Sequence, residues 1–413
     1  MPEMKDSGIE WIGEIPKDWE IEKISALYSL RNTKVSDEDY PPLSVTMKGV
    51  LPQLETAAKT NDHDNRKLVK KGDFAINSRS DRRGSCGISE YDGSVSLINT
   101  VLKPQGKMSN RYYNWLFHTP LFADEFYKCG HGIVDDLWTT NWQDMKKITV
   151  PFPDLSIQER IADFLDAKCT EIDTLSTDIQ SEIDTLQAYK KSVITEAVTK
   201  WLDKNAEIID SRIYYMAPYN SKWRLSKIGY ECTKLWRPFN SEDTALLCTN
   251  KGKVAIRPDE MSGIMVSQDN AMQGIHKGDI AIHGMDTWHG AIALSDYDGK
   301  ITRVVHVCDS PNDNRFIVYY LQQLAYNGVY KLISNGVRGN TSDFRSWDKV
   351  ADIYIALPSL DEQSKISDYL DSVCVQVEDI IAQKQEQLEV LADYKKSLIY
   401  EYVTGKKEVP ESY

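Results

Sequence analysis

The chain has 413 residues, of which 41% are hydrophobic and 10% aromatic, and its formal net charge is −13. This composition is typical of a globular protein with two or three domains, and it excludes a disordered or collagen-like chain. No run of about eighteen apolar residues is present, and the seven scattered cysteines form no C-x-x-C pair. We therefore expect a soluble, cytoplasmic protein without a membrane segment or a disulfide framework.

The chain contains an internal repeat that extends from end to end. DSGIEWIGEIPKDWEIEKI aligns with DSRIYYMAPYNSKWRLSKI at an offset of 204 residues (210 − 6). KKGDFAI aligns with HKGDIAI at 206 (278 − 72), and PDLSIQERIADFLD aligns with PSLDEQSKISDYLD at 205 (363 − 158). The last match continues without a gap to AYKKSVITEAVT and DYKKSLIYEYVT. A period of this length indicates a duplicated domain pair and not a solenoid of short repeats.

The first part of each half, residues 1–152 and 201–357, has the pattern of a mixed globular domain. Short β-branched runs such as GDFAINS and GDIAIHG are bounded by Gly, Asp, Asn and Pro, which predicts strands. RYYNWLFHTPLFADEFYK and NRFIVYYLQQLAYN have apolar residues at helical spacing, which predicts a helix in each copy. We expect two similar α+β globules of about 150 residues each.

The second part of each half, residues 153–200 and 358–405, is predicted to be a long spacer helix, followed by a short tail at 406–413. Pro153 and Pro358 precede the two helices, Gly405 ends the second, and neither helix contains Pro or Gly before its end. In the first spacer, apolar residues recur at steps of three and four, as in a coiled coil: Ile172, Leu175, Ile179, Ile183, Leu186, Tyr189 and Val193.

A helix of about 45 residues is roughly 65–70 Å long, and one with a single apolar stripe is not stable alone. The apolar stripe of each spacer can be buried against the other spacer of the same chain. We therefore expect the spacers to pair antiparallel and to hold the globules at opposite ends. Two similar globules at a fixed separation suit a target with two half-sites, and duplex DNA is the commonest such target. The charge of −13 means that a local basic patch, or a partner subunit, has to contact the phosphates.

The order of SGIEWIGEIPKDWE, KKGDFAI and ITVPFPDLSIQERIADFLD before a long helix resembles the specificity subunit of Type I restriction–modification systems. IALPSLDEQSKISDYLD repeats the signature, so the resemblance covers essentially the whole chain. One departure is SRIYYMAPYNSKW at the start of the second copy, where we expect different packing.

The resemblance implies two target-recognition domains that each read half of a bipartite DNA sequence. It implies spacers that dock two modification (methyltransferase) subunits, with restriction subunits added for cleavage. This chain is then non-catalytic and holds no cofactor, because S-adenosylmethionine and ATP with Mg are used by the partners.

The loop after the Gly-Asp strand of each globule is a candidate DNA contact. NSRSDRRGSCG in the first copy has side chains of the types that bind guanine and adenine edges or phosphate: Asn77, Arg79, Ser80, Arg82 and Arg83. HGMDTWHG in the second copy has different ones: His283, Asp286, Trp288 and His289. Different loops at matched positions are what two different half-sites require. The alternatives are a solvated, salt-bridged loop in the first copy and a buried Trp with turn histidines in the second.

A second loop precedes each spacer, KCGHGIVDDLW in the first copy and SNGVRGNTSDFR in the second. The first is acidic and a poor phosphate contact. In the second, Arg338, Asn340 and Arg345 are candidates for contact with bases or with the backbone.

The repeated YKKS near each helix end is a candidate docking face for a partner subunit, and the repeated glutamines at the helix starts are assigned to it too. The assigned residues are Gln158, Tyr189, Lys190, Lys191, Gln363, Tyr394, Lys395 and Lys396. The alternative is that these lysines only interact favourably with the helix dipole.

Metal and catalytic motifs are weak or missing in the sequence. Cys129-x-His131 is the closest approach to a metal set and has no second pair, which favours a structural role. There is no P-loop, no G-x-S-x-G and no Gly-rich cofactor loop after a strand. The rival hypothesis to DNA recognition is a protein-assembly scaffold with two adaptor domains on a coiled-coil rod.

Overall fold

The computed structural model describes residues 3–53, 63–132, 138–200, 206–258, 271–334 and 342–411. The chain forms two compact units, one from Met1–Ile179 with Glu386–Tyr413 and the other from Gln180–Gln385. Each unit contains one globule together with a part of both long helices. The predicted class, two similar mixed α/β globules with two long helices, is confirmed; the residue boundaries predicted for the domains stay predictions.

The first globule is mainly antiparallel sheet with a few short helices. Its strands are β1 (Met4–Ile9), β2 (Gly13–Pro16), β3 (Glu20–Lys23), β4 (Tyr28–Leu30), β5 (Lys34–Val35), β6 (Leu43–Thr46), β7 (Gly49–Pro52), β8 (Arg66–Val69), β9 (Phe74–Asn77), β10 (Cys86–Ile88), β11 (Gly93–Val95), β12 (Asn99–Pro104) and β13 (Thr149–Phe152). Its helices are α1 (Ile24–Leu27), α2 (Asn110–Phe117), α3 (Pro120–Lys128) and α4 (Trp142–Met145), and a 3-10 turn spans Ser80–Arg82.

The second globule repeats this plan. Its strands are β14 (Ile208–Ile209), β15 (Tyr219–Asn220), β16 (Arg224–Lys227), β17 (Thr233–Lys234), β18 (Leu246–Cys248), β19 (Val254–Ile256), β20 (Met272–Ile275), β21 (Ile280–His283), β22 (Ile292–Leu294), β23 (Gly299–Thr302), β24 (Val305–Asp309) and β25 (Tyr354–Leu357). Its helices are α6 (Ile228–Glu231), α7 (Asn314–Tyr326), α8 (Val329–Ile333) and α9 (Trp347–Ala351), with a 3-10 turn at Thr287–His289.

The largest sheets of the two globules have the same topology. The first has the order β10-β9-β12-β4, and the second, written in the matching direction, has the order β22-β21-β24-β17. All neighbours in both sheets are antiparallel. The central strands β9 and β21 carry the repeated Phe-Ala-Ile and Ile-Ala-Ile, which are buried because the sheet is covered on both faces. The internal repeat in the sequence therefore corresponds to a repeated fold.

A buried ion pair fixes the start of each central strand. Arg31 Nε and Nη2 lie 2.5 and 2.9 Å from the carboxylate oxygens of Asp73, and Arg237 makes the same two bonds to Asp279 at 2.6 and 2.7 Å. Gly72 precedes the first aspartate with a φ of +87°, a conformation that residues with a Cβ rarely adopt. The repeated Gly-Asp is therefore a turn that places a carboxylate within hydrogen-bonding distance of an arginine.

The two long helices are α5 (Leu155–Lys200) and α10 (Leu360–Val403). Within the first unit they run antiparallel, since Phe164 stacks near Tyr402 with ring centroids 4.4 Å apart while Asp173 binds Lys395. Within the second unit Glu182 binds Lys384 and Lys190 binds Glu378 with the same polarity. Gly405 follows α10 with a φ of +71°, and a Cβ there would lie 2.4 Å from Pro16 Cδ.

The helix pair joins the core of each globule. Ile161, Leu165 and Leu398 belong to the core of the first, whereas Ile194, Ile366 and Leu370 belong to the core of the second. The predicted coiled-coil seam is wrong at two positions, because Leu175 is 49% exposed and Tyr189 is 51% exposed. The buried residues Ile172, Ile179 and Ile183 follow steps of seven and four, which leaves the other two positions off the contact face.

Where the second copy departs from the first at its start, the packing differs only in part. Ile12 and Met216 are both buried at matched positions. Trp11 packs edge-on against Phe122 in the first copy, whereas the Tyr215 hydroxyl accepts the backbone N–H of Tyr354 in the second. In the described residues, no helix combines the length and the apolar character that crossing a lipid bilayer would take.

Candidate nucleic-acid interface

In the first globule the loop after β9 and the segment before α4 form one surface. The Ser80 N–H donates to the Trp138 carbonyl at 3.1 Å, and the Thr140 N–H donates to the Ser78 carbonyl at 3.0 Å. Arg79 and Thr139 are bridged between these two bonds. Two segments that are about sixty positions apart are thus held side by side, and we call this the first loop surface (residues 77–85 with 138–140).

The second globule builds the equivalent second loop surface from residues 283–290 with 342–345. The Ser342 N–H donates to the Met285 carbonyl at 2.8 Å, and the Phe344 N–H donates to the Gly284 carbonyl at 3.0 Å. The two segments approach so closely that a Cβ on Gly284 would lie 2.7 Å from the Phe344 carbonyl oxygen. The Thr287 hydroxyl also donates to the Ser342 hydroxyl at 2.8 Å. One bond is shared, because Phe344 N–H to the Gly284 carbonyl corresponds to Thr140 N–H to the Ser78 carbonyl. The other bond has the opposite direction, since Ser80 donates from the loop whereas Met285 accepts in the loop. Matching segments are therefore joined in both globules, and they carry different side chains.

On the first loop surface, Asn77 acts within the protein. It is buried, its side-chain oxygen accepts the Arg79 N–H at 3.1 Å, and its carbonyl accepts the Tyr127 hydroxyl at 3.2 Å. Ser80 begins the 3-10 turn that follows Arg79. Asn77 and Ser80 therefore fix the conformation of the loop, and the arginines are the residues that can contact a ligand.

The arginines of this surface differ in how closely their guanidinium groups are paired with carboxylates. Arg82 is exposed, and Asp81 is 3.6 Å from its Nε. Arg83 instead pairs with Asp124 and lies over the Tyr127 ring at 5.5 Å. Arg83 and its partners line an open depression of about 580 Å³. The lining residues are Ser80, Asp81, Arg83, Asp124, Tyr127, Lys128 and Trp138. Arg82 has the weaker internal pairing and is the better placed of the two for a ligand.

The histidines of the second loop surface are organised by Asp286. His283 Nδ1 accepts the Met285 N–H at 3.4 Å and lies 3.2 Å from Asp286 Oδ2, while His289 Nδ1 lies 3.9 Å from Asp286 Oδ1. Burial lowers the pKa of His283 despite the neighbouring carboxylate, which favours its neutral imidazole. His289 is half-exposed and available to a ligand.

Trp288 and Arg345 complete the second loop surface. The Trp288 indole packs against the core of its globule, its Nε1 is buried without a partner in the described residues, and Lys331 Nζ lies 5.9 Å from the ring. Arg345 is exposed and its Nη2 lies 3.0 Å from Met285 Sδ, beside the histidine loop. Arg338 and Asn340 lie outside the described residues. The predicted loops thus meet, with Trp288 as support and with His289 and Arg345 facing outward.

Residues 16–185 match the family model described as the Type I restriction modification DNA specificity domain. This part of the chain is a Type I restriction–modification specificity domain. The resemblance stated from the sequence is confirmed.

Solved structures show the same fold over nearly the whole chain. A structure described under "Structural basis underlying complex assembly and conformational transition of the type I R-M system" has a TM-score of 0.68 at 13% identity, covering 95% of this chain and 99% of its own. The HsdS subunit from Thermoanaerobacter tengcongensis has a TM-score of 0.50 at 13% identity, covering 95% and 98%. At this identity the likeness concerns the fold. No curated protein matches the sequence.

In this chain, the first lysine of each YKKS joins the two long helices. Lys190 Nζ lies 2.5 Å from Glu378, and Lys395 Nζ lies 2.6 Å from Asp173. The acceptors are 205 positions apart (378 − 173), so this is one ion pair that occurs twice. These two lysines stabilise the helix pair within their own units.

The other YKKS residues are more available to a partner. Tyr189 and Tyr394 are 51% and 54% exposed at matched positions. Lys191 Nζ lies 5.7 Å from the Tyr326 ring, and Lys396 pairs with Asp393 at 2.9 Å on the surface of α10. The repeated exposed tyrosines are therefore the best candidates for a docking contact in this motif.

Gln158 and Gln363 are buried and engaged inside their units. The Gln158 side chain accepts the Ser109 N–H at 2.8 Å and donates to the Pro153 carbonyl at 2.7 Å. Gln363 repeats this with the Asp313 N–H and the Pro358 carbonyl, both at 3.0 Å. Both amides fasten the start of a long helix to its globule, and neither exposes the surface that a partner would need.

The pattern of the loops did not reveal Trp138, Lys128, Lys234, Trp236 and Arg303, although all five lie on or beside these surfaces. The signal that was available is basic residues interleaved with tryptophan, as in TKLWR. Within the part of the chain that is described, no group of three His, Cys, Asp or Glu side chains has the arrangement of a metal site.

Proposed function

We propose that the chain is the DNA sequence-recognition subunit of a Type I restriction–modification complex that acts in the cytoplasm. Each globule reads one half of a bipartite target. The observation that carries this proposal is the pair of loop surfaces, which join matching segments through one corresponding backbone hydrogen bond and carry different side chains. A duplicated reader with a constant frame and variable contacts suits two unlike half-sites.

The chemistry of the two surfaces favours different readouts. On the first, Arg82 and Arg79 supply guanidinium donors, which bind guanine O6 and N7 or phosphate. On the second, His289 and Arg345 supply one imidazole and one guanidinium group beside a rigid tryptophan. Base discrimination of about 1–3 kcal/mol per good contact is enough to distinguish half-sites when several contacts act together.

Partner docking is proposed for the exposed faces of the two long helices. Each unit presents an aliphatic residue and a tyrosine at matched positions, Leu175 with Tyr394 in the first unit and Ile380 with Tyr189 in the second. Exposed apolar side chains on a stiff helix are typical of an interface. One modification (methyltransferase) subunit would bind each unit, and restriction subunits would join for cleavage.

The chain itself is proposed to be non-catalytic, with no cofactor of its own. S-adenosylmethionine and ATP with Mg would be bound by the partner subunits. A net charge of −13 is consistent with this division, because partners that surround the duplex would provide much of the phosphate contact. The isolated chain should bind DNA weakly, and addition of the methyltransferase subunit should restore tight, specific binding.

The test is to map adenine methylation in cells that carry the assembled complex. Replacing residues 77–85 and 138–140 with the corresponding loops of a related chain of different specificity should change one half of the methylated sequence and leave the other half intact. The reciprocal exchange of 283–290 with 342–345 should change only the other half. A control exchange of Leu51 and Pro52, at the exposed end of β7, should change neither.

If methylation occurs at the same sequence after both exchanges, the loop surfaces do not read DNA. That result would favour the rival scaffold, in which the globules bind proteins and the helices only space them. Co-purification with the methyltransferase subunit shows whether each exchanged chain still assembles. Where an exchange prevents assembly, single substitutions such as Arg82→Gln and Arg345→Gln are tested instead.

A further inference from the structure

Trp236 in the second globule is an unusual surface residue. It is 62% exposed, and two cations lie near its ring: Lys234 Nζ at 5.4 Å and the Arg303 guanidinium carbon at 5.3 Å from the centroid. A tryptophan ring attracts cations through its quadrupole and restricts the motion of their long side chains. Three residues from two strand ends thus form a small, ordered, positively charged surface.

This cluster is adjacent to the second loop surface. The Gly284 N–H donates to the carbonyl of Val304, the residue after Arg303, at 3.0 Å. On the other side, the Leu235 N–H, between Lys234 and Trp236, donates to the Val307 carbonyl at 2.8 Å. Arg303 is held further by its Nε, which donates to the Met272 carbonyl at 3.0 Å. The cluster therefore extends the surface that contains His289 and Arg345.

The charge of this cluster is not cancelled locally. In the described residues no carboxylate pairs with Lys234 or Arg303, whereas the nearby Asp279 is neutralised by Arg237 at 2.6 and 2.7 Å. In a chain of net charge −13, two unpaired cations fixed on one tryptophan are a local exception. Such an exception favours an anionic partner.

Among the described residues of the first globule there is no such cluster, and the strand register shows why. Leu30 is the ladder residue opposite Leu102, and Arg31, which binds Asp73, follows it directly. In the second globule Lys234 is the ladder residue opposite Cys308, but Leu235 and Trp236 come before Arg237. The tryptophan is thus one of two additional residues that bulge from the strand end.

We propose that Lys234, Trp236 and Arg303 bind the sugar–phosphate backbone of duplex DNA beside the second half-site. This inference rests on the proposed function and names the part of the DNA that this surface holds. Cations on the tryptophan ring are points of positive charge that suit phosphate oxygens, and they obstruct the stacking of a base on the same ring. The exposed edge of the indole would pack against a deoxyribose.

The experiment uses the assembled complex with its methyltransferase subunits and a duplex that contains its methylated target. Dissociation constants are measured over a series of salt concentrations for Lys234→Gln and Arg303→Gln. Losing one phosphate contact should weaken binding about fivefold at 0.15 M salt and reduce the slope of log K against log salt by about 0.9. Lys277→Gln, an exposed lysine that precedes the opposite end of β21, is the matched control and should leave the slope unchanged.

A duplex with a scrambled second half-site separates backbone contact from base reading. Both variants should lose affinity for this duplex by the same factor as for the target, so the specificity ratio stays constant. Trp236→Ala should reduce the slope, and Trp236→Phe should restore most of it because a ring remains. Thermal unfolding of each variant verifies that the globule is intact.

An unchanged salt slope in both Lys234→Gln and Arg303→Gln would overturn the proposal, as would a loss limited to the true target. If the wild-type complex does not distinguish the target from the scrambled duplex while the slopes still fall, the phosphate surface stands and the proposed sequence recognition fails. The two ideas therefore fail on different measurements.

Discussion

The two globules of this chain share a frame and differ at their exposed ends. Both have the same four-stranded sheet order, the same arginine–aspartate pair at the central strand and one corresponding backbone hydrogen bond between two loops. The exposed side chains on those loops are arginines in the first globule, and His289 and Arg345 in the second. Residues that hold the backbone have thus stayed alike, while residues that face solvent have diverged.

This contrast separates the residues that the fold needs from those that a ligand selects. Asp73 and Asp279 are nearly inaccessible, and each also accepts a backbone N–H, from Lys70 and His276. By contrast, Trp236 has no counterpart in the described part of the first globule, because Arg31 directly follows Leu30 there. Substitutions of matched buried residues should therefore reduce the stability of both globules by similar amounts. Substitutions of residues that occur in one globule alone should affect only that globule.

The largest effect is expected from Asp73→Ala and Asp279→Ala. Each leaves an arginine that is largely buried without its carboxylate, which costs about 3 kcal/mol of unfolding free energy. We expect the two losses of unfolding free energy to agree within about 1 kcal/mol, because each breaks an arginine–aspartate pair of the same geometry. Urea denaturation followed by hydrogen exchange in each globule measures them.

Asp92→Ala and Asp298→Ala are the matched controls for this pair. Both aspartates accept a backbone N–H at 2.8 Å, from Lys71 and Lys277, on an exposed turn. They should change the unfolding transition far less than the buried aspartates do. A globule that tolerates loss of its buried aspartate would show that the shared frame does not depend on this ion pair.

A smaller effect is expected at the junctions between globule and helix. Gln158→Ala leaves the Ser109 N–H and the Pro153 carbonyl without partners, at a cost of about 2 kcal/mol. Gln363→Ala should cost slightly more, because its Nε2 also donates to Asn312 Oδ1 at 3.0 Å. The measurement is the free energy of unfolding in urea, with Gln376→Ala on the exposed face of α10 as control. Equal losses would mean that the additional amide bond contributes nothing.

Much of the frame could be predicted from the sequence, and the interface only in outline. The repeat and the Pro-to-Gly spacing identified both long helices, because periodicity and helix-ending residues act locally. The roles of Gln158 and Gln363 could not be predicted, since their partners, Ser109 and Asp313, lie about fifty positions away. The predicted coiled-coil seam is wrong at Leu175 and Tyr189, because steps of three and four do not specify which face of the helix contacts the other helix.

The bridged loop surfaces were predictable as candidates but not as single surfaces. No residue pattern announces that Ser80 meets Trp138, because that contact depends on how the sheet brings two distant segments together. Trp236 was missed for a related reason. Its exposure results from two additional residues after a strand end. The rise in the repeat offset from 204 to 206 indicates such an insertion, but only the ladder register places it directly after Lys234.

The third prediction uses a buried difference between the globules. Glu231 at the end of α6 occupies the position of Leu27 at the end of α1. Hydrogen bonds from Arg224 first, and then from Ser226 and Asn312, lower the pKa of Glu231 to about 2 against an ordinary value of 4.5. A lowered pKa stabilises the fold at pH values above 4.5, and this stabilisation is lost as the pH falls towards 2.

The second globule should therefore be more sensitive to acid than the first. Its urea midpoint should fall between pH 4.5 and pH 2 by an amount that Glu231→Gln removes, while the same substitution lowers its stability at neutral pH. Hydrogen exchange in the first globule serves as the internal control. An acid sensitivity that survives Glu231→Gln would assign it to other carboxylates.

The smallest effect is expected from the repeated ion pair between the long helices. Glu378 accepts from both Lys190 and Lys253, at 2.5 and 2.6 Å. Among the lysines that the structure describes, Asp173 accepts only from Lys395, and it is more exposed than Glu378. Burial alone would raise the pKa of Glu378, but the two lysine hydrogen bonds outweigh it and the pKa is lowered.

Partly exposed pairs contribute less than about 1 kcal/mol each. Glu378→Gln should therefore cost more than Asp173→Asn, and 1 M salt should reduce the difference. A double-mutant cycle with Lys190→Met isolates the interhelical pair from the Lys253 contact. If Asp173→Asn proves the costlier change, the helix pair is held more tightly by charge in the first unit than in the second. The additional lysine would then have only a positioning role for the β18–β19 hairpin.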